Sequence, residues 1–239
     1  MAQQNRKAKG GGSSTKPFYT LLAVVAVVGV VALAWVLMGG RAGTATEPVA
    51  LDFETSDVQL LLERAQGVDQ GPADAPVRVI EFADYQCPAC AVFATQMKPA
   101  VKSQFIDQGQ VRFTFFDYPI ISAHPHAFLA ARAARCAGDQ DRYWDYHDVL
   151  MARQSTWAAR QNAVGDFLGY ASDLGLDDDA FESCLKSDRH AEAVTASARL
   201  GEMMGVSATP TVIVNGQTVQ DWRYLPQIIE QQLGGEPIR

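Results

Sequence analysis

The chain has 239 residues, 48% of them hydrophobic and 20% charged, with a formal net charge of −7 at pH 7. Five of its twenty basic residues and none of its twenty-seven acidic ones fall in the first 41 positions, so the remainder carries fifteen basic against twenty-seven acidic groups, a net −12. An acidic globule has no electrostatic reason to bind nucleic acid, and that class of partner is excluded.

Residues 1–16 read as a basic cytoplasmic tail, with Arg6, Lys7, Lys9 and Lys16 around a Gly10-Gly11-Gly12-Ser13-Ser14 run. Residues 17–39 read as a transmembrane anchor. Phe18 to Met38 holds twenty-one consecutive uncharged residues, which as a helix reach roughly 31 Å, enough to cross a bilayer core. The basic flank keeps the N-terminus cytoplasmic and sends the rest of the chain to the periplasmic or extracellular side. A cleaved signal peptide is the competing reading, since Gly43-Thr44-Ala45 offers small residues to a peptidase. The apolar run is longer than the usual signal core of about 7–15 residues, which favours the anchor. A Gly/Ala/Thr-rich stretch, 40–56, reads as a flexible linker. Residues 57–239 then suffice for one well-buried core.

Ser56 or Asp57 caps a short helix carrying Val58, Leu61, Leu62 and Ala65 before Gly67. Gly71-Pro72 and Ala75-Pro76 punctuate the chain ahead of an apolar strand, Val77 to Ala83. Glu81 interrupts that strand. Its carboxyl is either buried, hence paired or protonated, or faces solvent at a sheet edge. The strand delivers Cys87-Pro88-Ala89-Cys90 onto a helix start. There the unpaired N–H groups and the dipole favour a thiolate at Cys87, and Cys90 stands one turn on, able to attack a mixed disulfide. Half of a zinc site uses the same spacing. It needs two more ligands, and no second C-x-x-C exists, while His124, His126, His147 and His190 fall at no zinc-finger spacing. The chain is therefore expected to hold no metal. The four histidines read as packing or partly solvated residues.

Phe93, Met97, Val101 and Phe105 recur every four residues, the apolar stripe of a helix that Pro99 should kink. Val111, Phe113 and Phe115 alternate along a second strand, making a βαβ unit with parallel strands. From about 123 to 205 the pattern is helical throughout, including the alanine-rich run from Ala127 and an acidic helix start at Asp177-Asp178-Asp179. Thr211 to Val214 and Gln217 to Val219 flank Asn215-Gly216, a strong hairpin signal. A last helix starts near Pro226 and stops at Gly234-Gly235. The order is βαβ, helical insertion, ββα, an α/β fold. Cys136 and Cys184 lie on separate helices of the insertion. Leftover cysteines in an exported domain usually pair, a bridge worth about 4 kcal/mol in the chain-entropy model; the alternative is two buried free thiols.

From about Asp69 to Leu233 the chain resembles the DsbA-like thiol–disulfide oxidoreductases, a thioredoxin fold with a helical insertion. The matching segments are Glu81 to Cys90, Phe113 to Pro119, Ala133 to Ala137, Tyr143 to His147 and Gly205 to Thr211. The resemblance implies that Cys87 is the exposed nucleophile and Cys90 the resolving thiol. It implies a cis-proline at Pro210, with Thr209 offering its backbone to an extended substrate. It also implies that Glu81 tunes proton transfer from Cys90, and that Pro88-Ala89 tunes the dithiol. Relatives with a second disulfide in the insertion match a Cys136–Cys184 bridge. No cofactor is implied. The partners implied are exported proteins with cysteines and a quinone-linked membrane redox partner. The expected reaction is oxidation of client dithiols. Reduction or isomerisation in the same compartment, and a non-catalytic binding module, are the rivals. Ala89 stands where the best-known pattern has a histidine, which weakens the case for an extreme oxidant.

Overall fold

The computed structural model describes residues 29–30, 45–53 and 56–235. The presumed anchor, apart from Gly29 and Val30, lies outside them. Among the described residues no helix is long and apolar enough to cross a membrane.

Val77–Ala83 (β2) is the centre of a five-stranded sheet because both its edges find partners. Val111–Asp117 (β3) pairs with it in parallel, Val79 opposite Phe113. Thr211–Val214 (β4) pairs antiparallel, Val79 opposite Val214. Val68–Gln70 (β1) adds to the outer edge of β3, and Gln217–Thr218 (β5) to that of β4. The order is β1-β3-β2-β4-β5. The β4–β5 hairpin turns on Asn215 and Gly216, both at positive φ (48° and 83°), the type I′ geometry that matches strand twist. β1 was not anticipated: three residues are too few to show an alternation.

Strand alternation divides the core. Val77, Val79, Val111, Phe113 and Phe115 face the larger cluster, and Phe82, Phe116 and Ile213 face a smaller one. Helix α1 (Val58–Ala65) covers the smaller face, capped by Asp57, whose carboxylate accepts from the N–H groups of Gln59 and Leu60 at 2.9 and 3.1 Å. Helix α8 (Ala191–Met203) packs there too, through Ala196 and Leu200.

The helix after the dithiol, α2, runs through Pro88–Val92, Phe93–Met97, Lys98–Val101 and Lys102–Ile106. Pro99 has no N–H for the Thr95 carbonyl, and the rod widens around it rather than breaking. The Lys98 N–H donates to the Phe93 carbonyl, five residues back. A second wide turn closes with Asp107 N–H on the Lys102 carbonyl at 2.9 Å. Each wide turn shifts the phase of the buried stripe.

Between β3 and β4 come α3 (Ala127–Gly138), α4 (Tyr143–Ala152), α5 (Gln154–Trp157), α6 (Val164–Asp173), α7 (Asp178–Lys186) and α8. Asp177 caps α7 by accepting from the Ala180 N–H at 2.8 Å. Helix α9 (Leu225–Leu233) closes the domain with Leu225 and Ile229 in the larger core. Residues 45–53, read from composition as a flexible spacer, lie along this body. The Val49 N–H donates to Thr195 Oγ1 at 3.0 Å, and Leu51 and Phe53 pack on the smaller cluster. Three apolar side chains among small residues were enough to dock it.

Candidate active site

The dithiol sits where the central strand ends. Asp84 opens a turn closed by the Cys87 N–H on the Asp84 carbonyl at 3.1 Å. Its buried carboxylate ties the turn down, accepting from the Gln86 and Ile120 N–H groups, each at 2.7 Å, and lying 2.8 Å from His124 Nδ1. Cys87 is the N-cap of α2 and Pro88 begins the helix, so the first N–H groups of the helix remain free to face the sulfur. The Cys87 thiol is lowered from 9.0 to about 5. The Cys90 hydrogen bond is the largest cause, opposed by burial and helped by Thr209 and by the Cys90 and Ala89 N–H groups. Cys90 is fully buried, and burial, reinforced by Cys87 and the Glu81 charge, pushes it well above the ordinary thiol range. Both are free thiols, and Cys87, expected to be the exposed member, is itself buried at 8% exposure because the Thr209 loop and α5 pack around it. Pro88 and Ala89 between them are exposed.

The Thr209–Pro210 bond is cis, and the Thr209 carbonyl lies 3.4 Å from Cys87 Sγ. A groove of ≈ 440 Å³ beside the pair is lined by Ala89, Val92 and residues Gln220 to Arg223.

Glu81 belongs to the central strand, not an edge. It is fully buried, both its oxygens lack partners, and burial raises it from 4.5 to about 8, with Lys98 pulling the other way. Its charge acts on Cys90. Lys98 is 3% exposed. Its ammonium lies 4.2 Å above the Trp144 ring and donates to Asp148 at 3.1 Å, so a buried cation is matched by a ring face and an exposed carboxylate. Burial lowers its pKa.

Sequence reasoning did not find Lys98, Gln154 or the tyrosine–histidine group. A regular helix carries the stripe from Phe93 to Met97; the wide turn carries it to Lys98 instead. Gln154 of α5 is buried and its amide donates to the carbonyls of Tyr85 and Cys87 at 2.8 and 2.9 Å. Gln86 reaches the other way, donating to the Ala158 carbonyl at 2.9 Å and accepting from the His126 N–H at 2.8 Å. The insertion thus grips the dithiol loop from both sides. No sequence spacing signals contacts across some 70 residues. His147, fully buried and held neutral by that burial, sits 3.0 Å from the Tyr85 hydroxyl, which donates to that of Tyr143 at 3.1 Å. Cys136 and Cys184 stand apart from this group, joined to each other across α3 and α7.

The thioredoxin family profile matches residues 64–231. Disulfide bond formation protein D of Bacillus subtilis is 30% identical over 173 residues, spanning 70% of this chain and 77% of that protein. The chain belongs to the DsbA-like thiol–disulfide oxidoreductases. The structure of oxidised BdbD from Bacillus subtilis superposes on this DsbA-like domain with a TM-score of 0.65 at 28% identity, covering 73% of this chain and 95% of that one. The Na(+)/H(+) antiporter NhaA 1 of Salinispora arenicola is 38% identical over 148 residues, 62% of this chain but 21% of the antiporter. The DsbA-like chain therefore spans about a fifth of that relative's length.

Proposed function

We propose that this protein oxidises the dithiols of exported proteins through Cys87 and Cys90, anchored to the membrane by residues 17–39 with its domain on the outer face. The observation that carries the reading is the geometry of the pair: Cys87 caps α2 with the Thr209 carbonyl of the cis Thr209–Pro210 loop 3.4 Å from its sulfur, while Cys90 is fully buried, an arrangement that lowers the Cys87 thiol and raises that of Cys90. A client thiolate attacks Sγ of Cys87 in the oxidised pair. The Cys87–Cys90 bond breaks and Cys90 leaves as a thiolate. Because Cys90 is so basic, it takes a proton at once, and the Glu81 carboxyl is the buried acid that acts on it electrostatically. A second client thiolate then attacks the client sulfur of the mixed disulfide, and Cys87 departs. Two electrons pass to the enzyme, and the client keeps a disulfide. A stabilised Cys87 thiolate is a good leaving group and favours the reduced enzyme, which drives client oxidation. Thr209 and Pro210 support edge pairing by an extended client beside Cys87. A quinone-linked membrane partner then takes the electrons.

Ala89 supplies no cation to the thiolate, which keeps reduction or isomerisation as the second reading. The deciding experiment is the redox state of Cys87–Cys90 in cells, quenched with acid and alkylated. A mostly oxidised pair is expected. A mostly reduced pair reverses the direction of flow. Cys90→Ser should meanwhile accumulate mixed disulfides with clients that vanish when Cys87 is also replaced; their absence would overturn turnover itself.

A further inference from the structure

The second cysteine pair has neighbours that a purely structural bridge does not need. Cys136 near the end of α3 and Cys184 on α7 are joined, and both are buried. His190, the residue before α8, closes on them: the ligand atoms of Cys136, Cys184 and His190 all lie within 4.8 Å of one another. Asp139, just past α3, adds a fourth donor. Its Oδ2 is 3.1 Å from His190 Nε2 and 3.5 Å from Cys184 Sγ, and it accepts from Arg189 at 2.7 Å. Four donors of three chemical kinds thus converge from three helix ends.

Tetrahedral zinc takes sulfur at about 2.3 Å and nitrogen or oxygen at about 2.0–2.2 Å, so its ligand atoms stand roughly 3.3–3.8 Å from one another. The imidazole and carboxylate already span nearly that distance. The two sulfurs, bonded as they stand, must part once the bond is reduced. We propose that the reduced Cys136–Cys184 pair, with His190 and Asp139, is a binding site for a thiophilic divalent cation of the Zn2+ type. Two thiolates and an imidazole disfavour Mg2+ and Ca2+, which take oxygen ligands. A closed set of four protein ligands is that of a holding site, not of a catalytic one. Opening the bridge takes two electrons from a dithiol, which becomes a disulfide, and yields two thiols. The metal then binds them as thiolates and two protons leave. Bridge and metal exclude each other, so oxidation expels the ion and the ion shields the thiols.

The test uses the full chain in detergent with Cys87→Ser and Cys90→Ser, so that only this pair can respond. A trialkylphosphine opens the bridge, taking an oxygen from water to become its oxide, and leaves two free thiols per chain to be counted with a thiol reagent. Co2+ is then titrated in, and Zn2+ is competed against a chromophoric chelator. Expected are one Co2+ per chain with tetrahedral d–d and thiolate charge-transfer bands, and none in the unreduced protein. His190→Ala should weaken binding by more than about tenfold, the scale that even an outer-shell partner commands. No stoichiometric binding by the reduced protein, or binding that survives Cys136→Ser with Cys184→Ser, overturns the proposal. If reduction unfolds the domain, Zn2+ is expected to restore its near-ultraviolet circular dichroism. Metal bound without that recovery overturns it equally, because the site is then not one the fold builds.

Discussion

A thiolate at Cys87 depends on groups within one helical turn and on the Thr209 loop, which is why the dithiol was legible in sequence. A C-x-x-C at a strand-to-helix junction carries most of its own environment. Thiolate absorbance of the reduced protein should titrate with a midpoint near 5; a midpoint near 9 would mean that the hydrogen bond from Cys90, the largest cause of the shift, does not form. Glu81 was half legible. The apolar run around it pointed to burial, but only sheet order, with β2 between β3 and β4, places it away from an edge. Its displacement has a consequence for stability. The folded value, about 8, lies above the ordinary 4.5, so as pH rises the unfolded chain gives up this proton first. Stability is fully present below 4.5, falls towards 8 and is level beyond. The loss is on the order of a few kcal/mol. Reduced Cys87 acts with the opposite sign, its contribution present above 9 and lost as pH falls through about 5. Oxidation removes Cys87 from this window, but His147 and His190, which burial lowers from 6.5, still act there with the sign of Cys87, so Glu81 is read from the difference between wild type and variant. Glu81→Gln is expected to flatten the decline in denaturant midpoint across that window; an unchanged slope would assign the decline to other groups.

Elements were legible where periodicity is regular and illegible where a distant partner completes them. The parallel βαβ unit, the Asn215-Gly216 hairpin and the Asp177 cap all follow from local pattern. β1 exists because β3 offers it an edge, and the first wide turn of α2 lies where Pro99 withholds one N–H. The join between α3 and the sheet is of the same non-local kind. Arg135 is buried, paired with Asp117 at the end of β3 at 2.7 Å, and donates to the Ala65 and Gln66 carbonyls at the end of α1 at 2.9 and 3.2 Å. Removing the guanidinium leaves a buried carboxylate without its counter-charge and two helix-end carbonyls without a donor. Arg135→Ala should cost about 3–5 kcal/mol in equilibrium unfolding, the scale of a broken buried pair. A cost below about 1 kcal/mol, as for a surface pair, would show that water reaches the site.

At the scale of the whole molecule the insertion enters between β3 and β4, at the end of the sheet where the dithiol stands, and α5 returns to the dithiol loop. The anchor proposed for residues 17–39 is tested at this scale as well. The protein should remain in the membrane fraction after a carbonate wash, with its domain open to protease from outside; release of a soluble form starting near Thr46 would identify a cleaved signal. The two outer strands complete the picture. β1 has three residues and β5 two, so neither margin of the sheet offers a long row of unpaired backbone groups. On the proposed function, clients that arrive unfolded would bring strand-forming segments that seek such a row. With its margins this short, the sheet gives an extended segment little to lie along and little on which to begin stacking into cross-β fibres.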